Sequence, residues 1–177
     1  MISSANKCIQ GVPGFSFILA RRKKLEESAG KARSLSLDLY AQWRTMDVDG
    51  KWRFTSPTHV VLAFAKALEE LRAEGGIPAR YARYAANHQL LVRRLEELGF
   101  RAYLEAEVQG PIITTFFYPE GAEFTFREMY QYIKERGYVL YPGKVMEAET
   151  FRVGNIGEIY PEDIERLAAI MAEFLRE

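Results

Sequence analysis

Several classes of protein are excluded by what this chain lacks. A single cysteine, Cys8, among 177 residues leaves no disulfide framework and no cysteine metal cluster. The two histidines, His59 and His88, stand far apart and lack metal-ligand spacing. Net charge is absent, with 24 Lys and Arg against 24 Asp and Glu, so no whole-chain field toward nucleic acid or an anionic membrane is implied. No apolar run approaches the roughly 20 residues of a membrane span. The first residues show no basic region followed by an apolar core, as a secretory leader would. There is no internal repeat and no low-complexity segment. The expectation is a soluble cytoplasmic protein without nucleic-acid or membrane partners.

What is present is an ordinary globular balance, 48% hydrophobic and 27% charged. The length suits one good-sized domain or pieces of two. Gly14 to Ala20 reads as a buried strand, and Arg21 to Ser28 as a short charged helix with a solvated basic face. Leu35, Leu37 and Leu39 alternate with Ser36 and Asp38 in a strand-like way, before a short helix over Tyr40 to Asp47; Asp49-Gly50 is a turn signal between flanking apolar residues. Ser56 then fits an N-cap and Pro57 the first helical position. The helix that follows stops at Gly75-Gly76. A second helix opens at Ile77-Pro78, with Tyr84, His88, Leu91, Leu95 and Leu98 on one stripe. His88 reads there as a packed, satisfied histidine.

Beyond Gly99 the pattern is strand (Gly110 to Pro119), helix (Phe126 to Arg136), two strands (Tyr138 to Gly143, Thr150 to Asn155), and a helix opened by Pro161. That is an α+β order with a small, largely antiparallel sheet. The domain division expected is residues 1–78 and 79–177, with the long second helix leading into the smaller domain.

Three places could carry chemistry. Lys7 lies among small residues and is followed by Gly11-Val12-Pro13-Gly14. A Schiff-base lysine must swing freely, lose its proton and sit where backbone can approach a ligand. The other reading is one of many solvated lysines. Thr55-Ser56-Pro57-Thr58 stands at a helix start, where hydroxyls and unpaired N–H groups suit a phosphate. The other reading is an ordinary cap. Arg152, in "FRVGNIG", alternates with Phe151 and Val153 on a short strand, offering a planar fork to a carboxylate or phosphonate. The other reading is a salt-bridged arginine on an edge strand.

Taken in order, "SSANKCIQGVPGFSFILARR", "RFTSPTHVVLAFAKAL" and "TFRVGNIGEI" resemble the C-terminal half of the 2-aminoethylphosphonate–pyruvate transaminase family. These are class V aminotransferases of the aspartate-aminotransferase-like pyridoxal phosphate fold, fold type I. The resemblance covers essentially the whole chain, and a lysine followed by "CIQGVPGF" is narrower than the class V pattern. It implies an α/β to α+β fold, a remnant of the large cofactor-binding domain followed by a small α+β domain. It implies pyridoxal 5'-phosphate as cofactor and a small-molecule amine and pyruvate as substrates, giving phosphonoacetaldehyde and alanine. Lys7 matches the lysine that joins the cofactor and moves the proton. Thr55 matches the threonine that reaches the cofactor phosphate of the neighbouring subunit in a homodimer. Arg152 matches the arginine that binds the acidic end of the substrate.

The family's chain is about twice as long, and this one starts abruptly before Lys7, so a fragment is expected. The carboxylate for the pyridinium nitrogen and the aromatic that stacks on the ring belong to the other half. Weak or absent catalysis by this chain alone is the corresponding expectation. Strands to pair with Phe15 to Ala20 would also be lacking, leaving exposed edges. The alternatives are a non-catalytic module that dimerises or binds a partner chain, and a class V transaminase of another substrate. Cys8, beside Lys7, is expected to pack rather than react.

Overall fold

The computed structural model describes residues 1–143 and 149–177. The elements run β1 (Ile2–Ser4), β2 (Ser16–Ile18), α1 (Arg22–Glu26), α2 (Leu39–Asp49), α3 (Thr58–Glu74), α4 (Gly76–Glu96), β3 (Arg101–Ala102), β4 (Ile113–Phe117), α5 (Phe126–Glu135), β5 (Tyr141–Pro142), β6 (Thr150–Gly154) and α6 (Pro161–Phe174). They fall into two compact units, Met1–Glu70 and Leu71–Glu177.

In the first unit β1 and β2 pair antiparallel, Ser3 opposite Phe17. The strand expected over Gly14 to Ala20 shortens to three residues and is not buried, since Ile18 and Leu19 are exposed. Phe15 and Phe17 instead meet Phe64 of α3, with ring centroids 5.2 and 5.6 Å away. The Leu35–Leu39 alternation does not form a strand. Leu35 and Leu37 are exposed in a turn, and Leu39 opens α2. Asp38 decides this locally. Its carboxylate accepts from the Ala41 N–H at 3.0 Å and starts a helix, while a lone alternating triplet has no partner strand to bond. At the other end α2 runs two residues beyond the expected Asp47 and is closed by Gly50 in the left-handed conformation.

The second unit holds the main core. A four-stranded sheet in the order β3-β4-β6-β5 is antiparallel at every pairing. Along β6 the inward residues Phe151 and Val153 are buried, and along β4 Thr114 and Phe116. Onto this face α4 brings Leu91 and Leu95, α5 Met129 and Ile133, and α6 Ile164, Leu167 and Met171, all in one apolar cluster. The helix starts are chemically specified. Thr125 and Glu128 form a reciprocal capping box at α5, and Asp163 accepts from the Tyr160 N–H at 2.9 Å at α6. The order after Gly99 is the one the sequence pattern gives, with the two-residue β3 added.

His88 is packed but not satisfied. Its Nε2 is buried and has no hydrogen-bond partner among the described residues, and burial lowers its pKa. Polar pairing is concentrated instead one turn earlier. Glu74 bonds both Arg80 and Arg83, and Arg83 donates on to the carbonyls of Gly157 and Ile159 at 2.8 and 3.1 Å. Asn87 adds a bond to the Ile159 carbonyl at 2.7 Å. The start of α4 is thereby tied to the loop that follows β6. The hydrogen bond from Arg83, and further pairing with Arg80, hold the Glu74 carboxyl below its ordinary value despite burial.

Candidate active site

Lys7 sits on a turn immediately after β1, exposed to solvent. The loop that carries it is closed by its own backbone. The Gln10 N–H donates to the Lys7 carbonyl at 2.7 Å, and the Gly11 N–H to the Ala5 carbonyl at 3.0 Å. Ala5 is fully buried beneath it and bonds the Phe15 carbonyl at 3.3 Å. The two glycines answer to a close approach. A Cβ on Gly11 would stand 2.8 Å from the Ala5 oxygen and 3.1 Å from the Phe64 ring. One on Gly14, whose φ is 150°, would stand 2.7 Å from a Val60 methyl. Val60 and Phe64 lie on the first two turns of α3. The Lys7 loop is therefore pressed against the beginning of the helix that Thr55 precedes.

Thr55 is exposed, three residues before α3. The cap falls one position later than Ser56. The Pro57 carbonyl accepts the first helical bond, from Val61 at 3.0 Å, and the Ser56 carbonyl takes the Thr58 N–H at 2.9 Å. Proline offers no capping side chain, and Thr55, Ser56 and Thr58 flank a helix start, where the first backbone N–H groups lack intrahelical partners. Cys8, expected to pack, is exposed.

Arg152 belongs to the second unit. It is on β6, an interior strand between β4 and β5, so the edge-strand reading does not hold. Its side chain projects from the face opposite Phe151 and Val153, and so away from the helices of the unit. Nε donates to the Pro142 carbonyl at 3.1 Å. Among the described residues no carboxylate lies within ion-pair distance of it, in contrast to Arg80, Arg83 and Arg94. A guanidinium fixed through Nε and offering its two terminal nitrogens is in the arrangement that forks onto an acid.

No family model matches the sequence. Curated proteins do. The chain is 59% identical over 174 residues to the 2-aminoethylphosphonate–pyruvate transaminase of Lysinibacillus sphaericus, covering 98% of this chain and 47% of that one. It is 58% identical over 172 residues to the enzyme of the same name from Vibrio cholerae, covering 97% and 47%. The chain is homologous to the C-terminal half of the 2-aminoethylphosphonate–pyruvate transaminases. It is also 54% identical over 176 residues, 99% of this chain and 28% of that one, to a bifunctional phosphonoacetaldehyde hydrolase/aminoethylphosphonate transaminase of Clostridioides difficile. It thus spans about half the length of the first two relatives, and less of the bifunctional one.

Solved structures agree on the fold. An aspartate aminotransferase from Thermus thermophilus superposes with a TM-score of 0.81 at 25% identity, over 99% of this chain and 48% of that one. An alanine–glyoxylate aminotransferase from Nostoc sp. gives 0.82 at 21% identity, over 99% and 47%. The fold is fold type I of the aminotransferases, as the transaminase resemblance implies. Among the described residues no helix is long and apolar enough to cross a membrane.

The sequence alone picked out Lys7, Thr55 and Arg152, but not the side chains around them. Nothing local marks Val60 and Phe64, and their approach to Gly11 and Gly14 depends on how the loop folds. The strand neighbours of Arg152 are fixed by register, which no local motif encodes.

Proposed function

We propose that the chain is the lysine- and arginine-bearing portion of a pyridoxal phosphate-dependent transaminase that moves the amino group of 2-aminoethylphosphonate to pyruvate. The observation that carries this is the 59% identity to a transaminase of that name over nearly the whole chain.

The residues present fit the cofactor at the two ends they would hold. Lys7 is an exposed amine on a turn braced against α3, suited to an aldehyde. The hydroxyl residues and the helix N-terminus at the start of α3 suit a phosphate, with Thr55 serving the neighbouring subunit's cofactor in a homodimer. When bound, the cofactor supplies the electron sink that lets a proton leave the carbon bearing nitrogen. Lys7 would be the base that takes that proton at Nζ and the acid that gives it back. Its exposure on a short loop leaves it free to swing between the two positions. Arg152 holds the phosphonate of the amine and then the carboxylate of pyruvate, orienting each by a two-pronged bond.

The test is to add pyridoxal phosphate, separate free cofactor by gel filtration, and record the near-visible spectrum. A retained band that disappears in Lys7→Ala supports the reading, and a band indifferent to that change overturns it. Sedimentation with and without cofactor checks the homodimer.

A further inference from the structure

The strand pairing places specific side chains beside Arg152. Register puts Thr115 of β4 directly opposite it on one side and Tyr141 of β5 on the other. Directly opposed residues share a face, with Cβ atoms about 5 Å apart. All three therefore stand on the sheet face opposite the buried Phe116, Phe151 and Val153. Tyr141 is 54% exposed, and its ring centroid is 5.9 Å from the Arg152 guanidinium carbon. Pro142, next to Tyr141, is the residue whose carbonyl holds Arg152 Nε at 3.1 Å. The same short strand thus orients the arginine and presents a phenol beside it. Thr115 adds a hydroxyl on the same face, directly across from Arg152.

The number of donors decides what such a row prefers. A carboxylate is planar and is matched by the two prongs of one guanidinium. A phosphonate is tetrahedral, has three oxygens and carries up to two charges, so one guanidinium leaves acceptors unmatched. We infer that Thr115 and Tyr141 are specificity-determining residues that donate to the third oxygen of a phosphonate or phosphate held by Arg152. The inference rests on the assignment of Arg152 to the acidic end of the substrate. Both hydroxyls are dispensable for a carboxylate, which allows one site to take both an aminophosphonate and a keto acid with different strengths.

The experiment titrates the chain with methylphosphonate and, separately, with acetate, following tyrosine and arginine side-chain resonances. The wild type should bind methylphosphonate about tenfold more tightly than acetate. Tyr141→Phe and Thr115→Val should each lower methylphosphonate affinity several-fold and leave acetate affinity unchanged. Arg152→Gln should remove binding of both. An unchanged preference in Tyr141→Phe and Thr115→Val, or equal loss for both anions, overturns the inference and leaves Arg152 in place. Unchanged binding in Arg152→Gln overturns the assignment of the arginine, and the inference with it. A wild type without preference also overturns it. The amide spectra of the variants separate loss of donors from loss of fold.

Discussion

Lys7 contributes little to the packing, because it is exposed on its turn. Lys7→Ala should therefore change stability by less than about 0.5 kcal/mol while abolishing cofactor retention, read from paired melting and absorbance curves. His88 behaves in the opposite way. Burial lowers its pKa below the ordinary 6.5, so between the two values the unfolded chain binds the extra proton and the folded chain does not. Stability from this source is complete above about 6.5 and falls as pH drops toward the folded value. His88→Leu should flatten a denaturation profile in that window. Glu74 acts lower on the scale. Its pKa is depressed by Arg83 and Arg80, so its contribution is present above the ordinary 4.5 and is lost as pH falls through the folded value. Glu74→Gln should remove the acid slope there and leave the upper window intact. A profile that His88→Leu leaves unchanged just below pH 6.5 would contradict the His88 assignment, and an acid slope that survives Glu74→Gln would contradict that of Glu74.

Single elements carry the site through close approach. The loop from Ala5 to Gly14 lies so near α3 that Gly14 has no space for a methyl group, and its φ of 150° disfavours one as well. Gly14→Ala should cost about 1–3 kcal/mol by displacing the loop from Val60. The same change should weaken cofactor retention although Lys7 is intact, which separates positioning from chemistry. At β6 the cost is of another kind. Phe151 is fully buried and stacks with Phe116 and Tyr118 at centroid distances of 5.8 and 5.4 Å. Phe151→Ala should cost about 3–5 kcal/mol, measured by urea denaturation, because the cavity lies under the strand that bears Arg152.

At the scale of the molecule the two units differ in what holds them. Among the described residues of Met1–Glu70 only Ala5 and Ala67 are buried hydrophobics, whereas Leu71–Glu177 encloses a continuous apolar cluster under its sheet. Amide hydrogens of α4, β4, β6 and α6 should therefore outlast those of β1, β2 and α2 in hydrogen exchange by orders of magnitude. Comparable protection of both units would show that the first has a source of stability beyond its own buried side chains.

Much of this was determined by the sequence itself. Turn and helix-start residues such as Asp49-Gly50, Gly75-Gly76 and Pro161 act within a few residues of themselves, so the helix ends they mark are legible locally. The motif around Lys7, the run at Thr55 and the strand at Arg152 are also local, and they carried the resemblance to the transaminases. Leu35 and Leu37 misled because alternation specifies a strand only where another strand is available to pair. Only the tertiary structure showed that Gly11 and Gly14 answer to Val60 and Phe64, about fifty residues away along the chain. It also moved Arg152 from a supposed edge to an interior strand and set Thr115 and Tyr141 on either side of it. Backbone pairing between distant segments makes those neighbours, and a period-two pattern is the same in every register that keeps its apolar face inward.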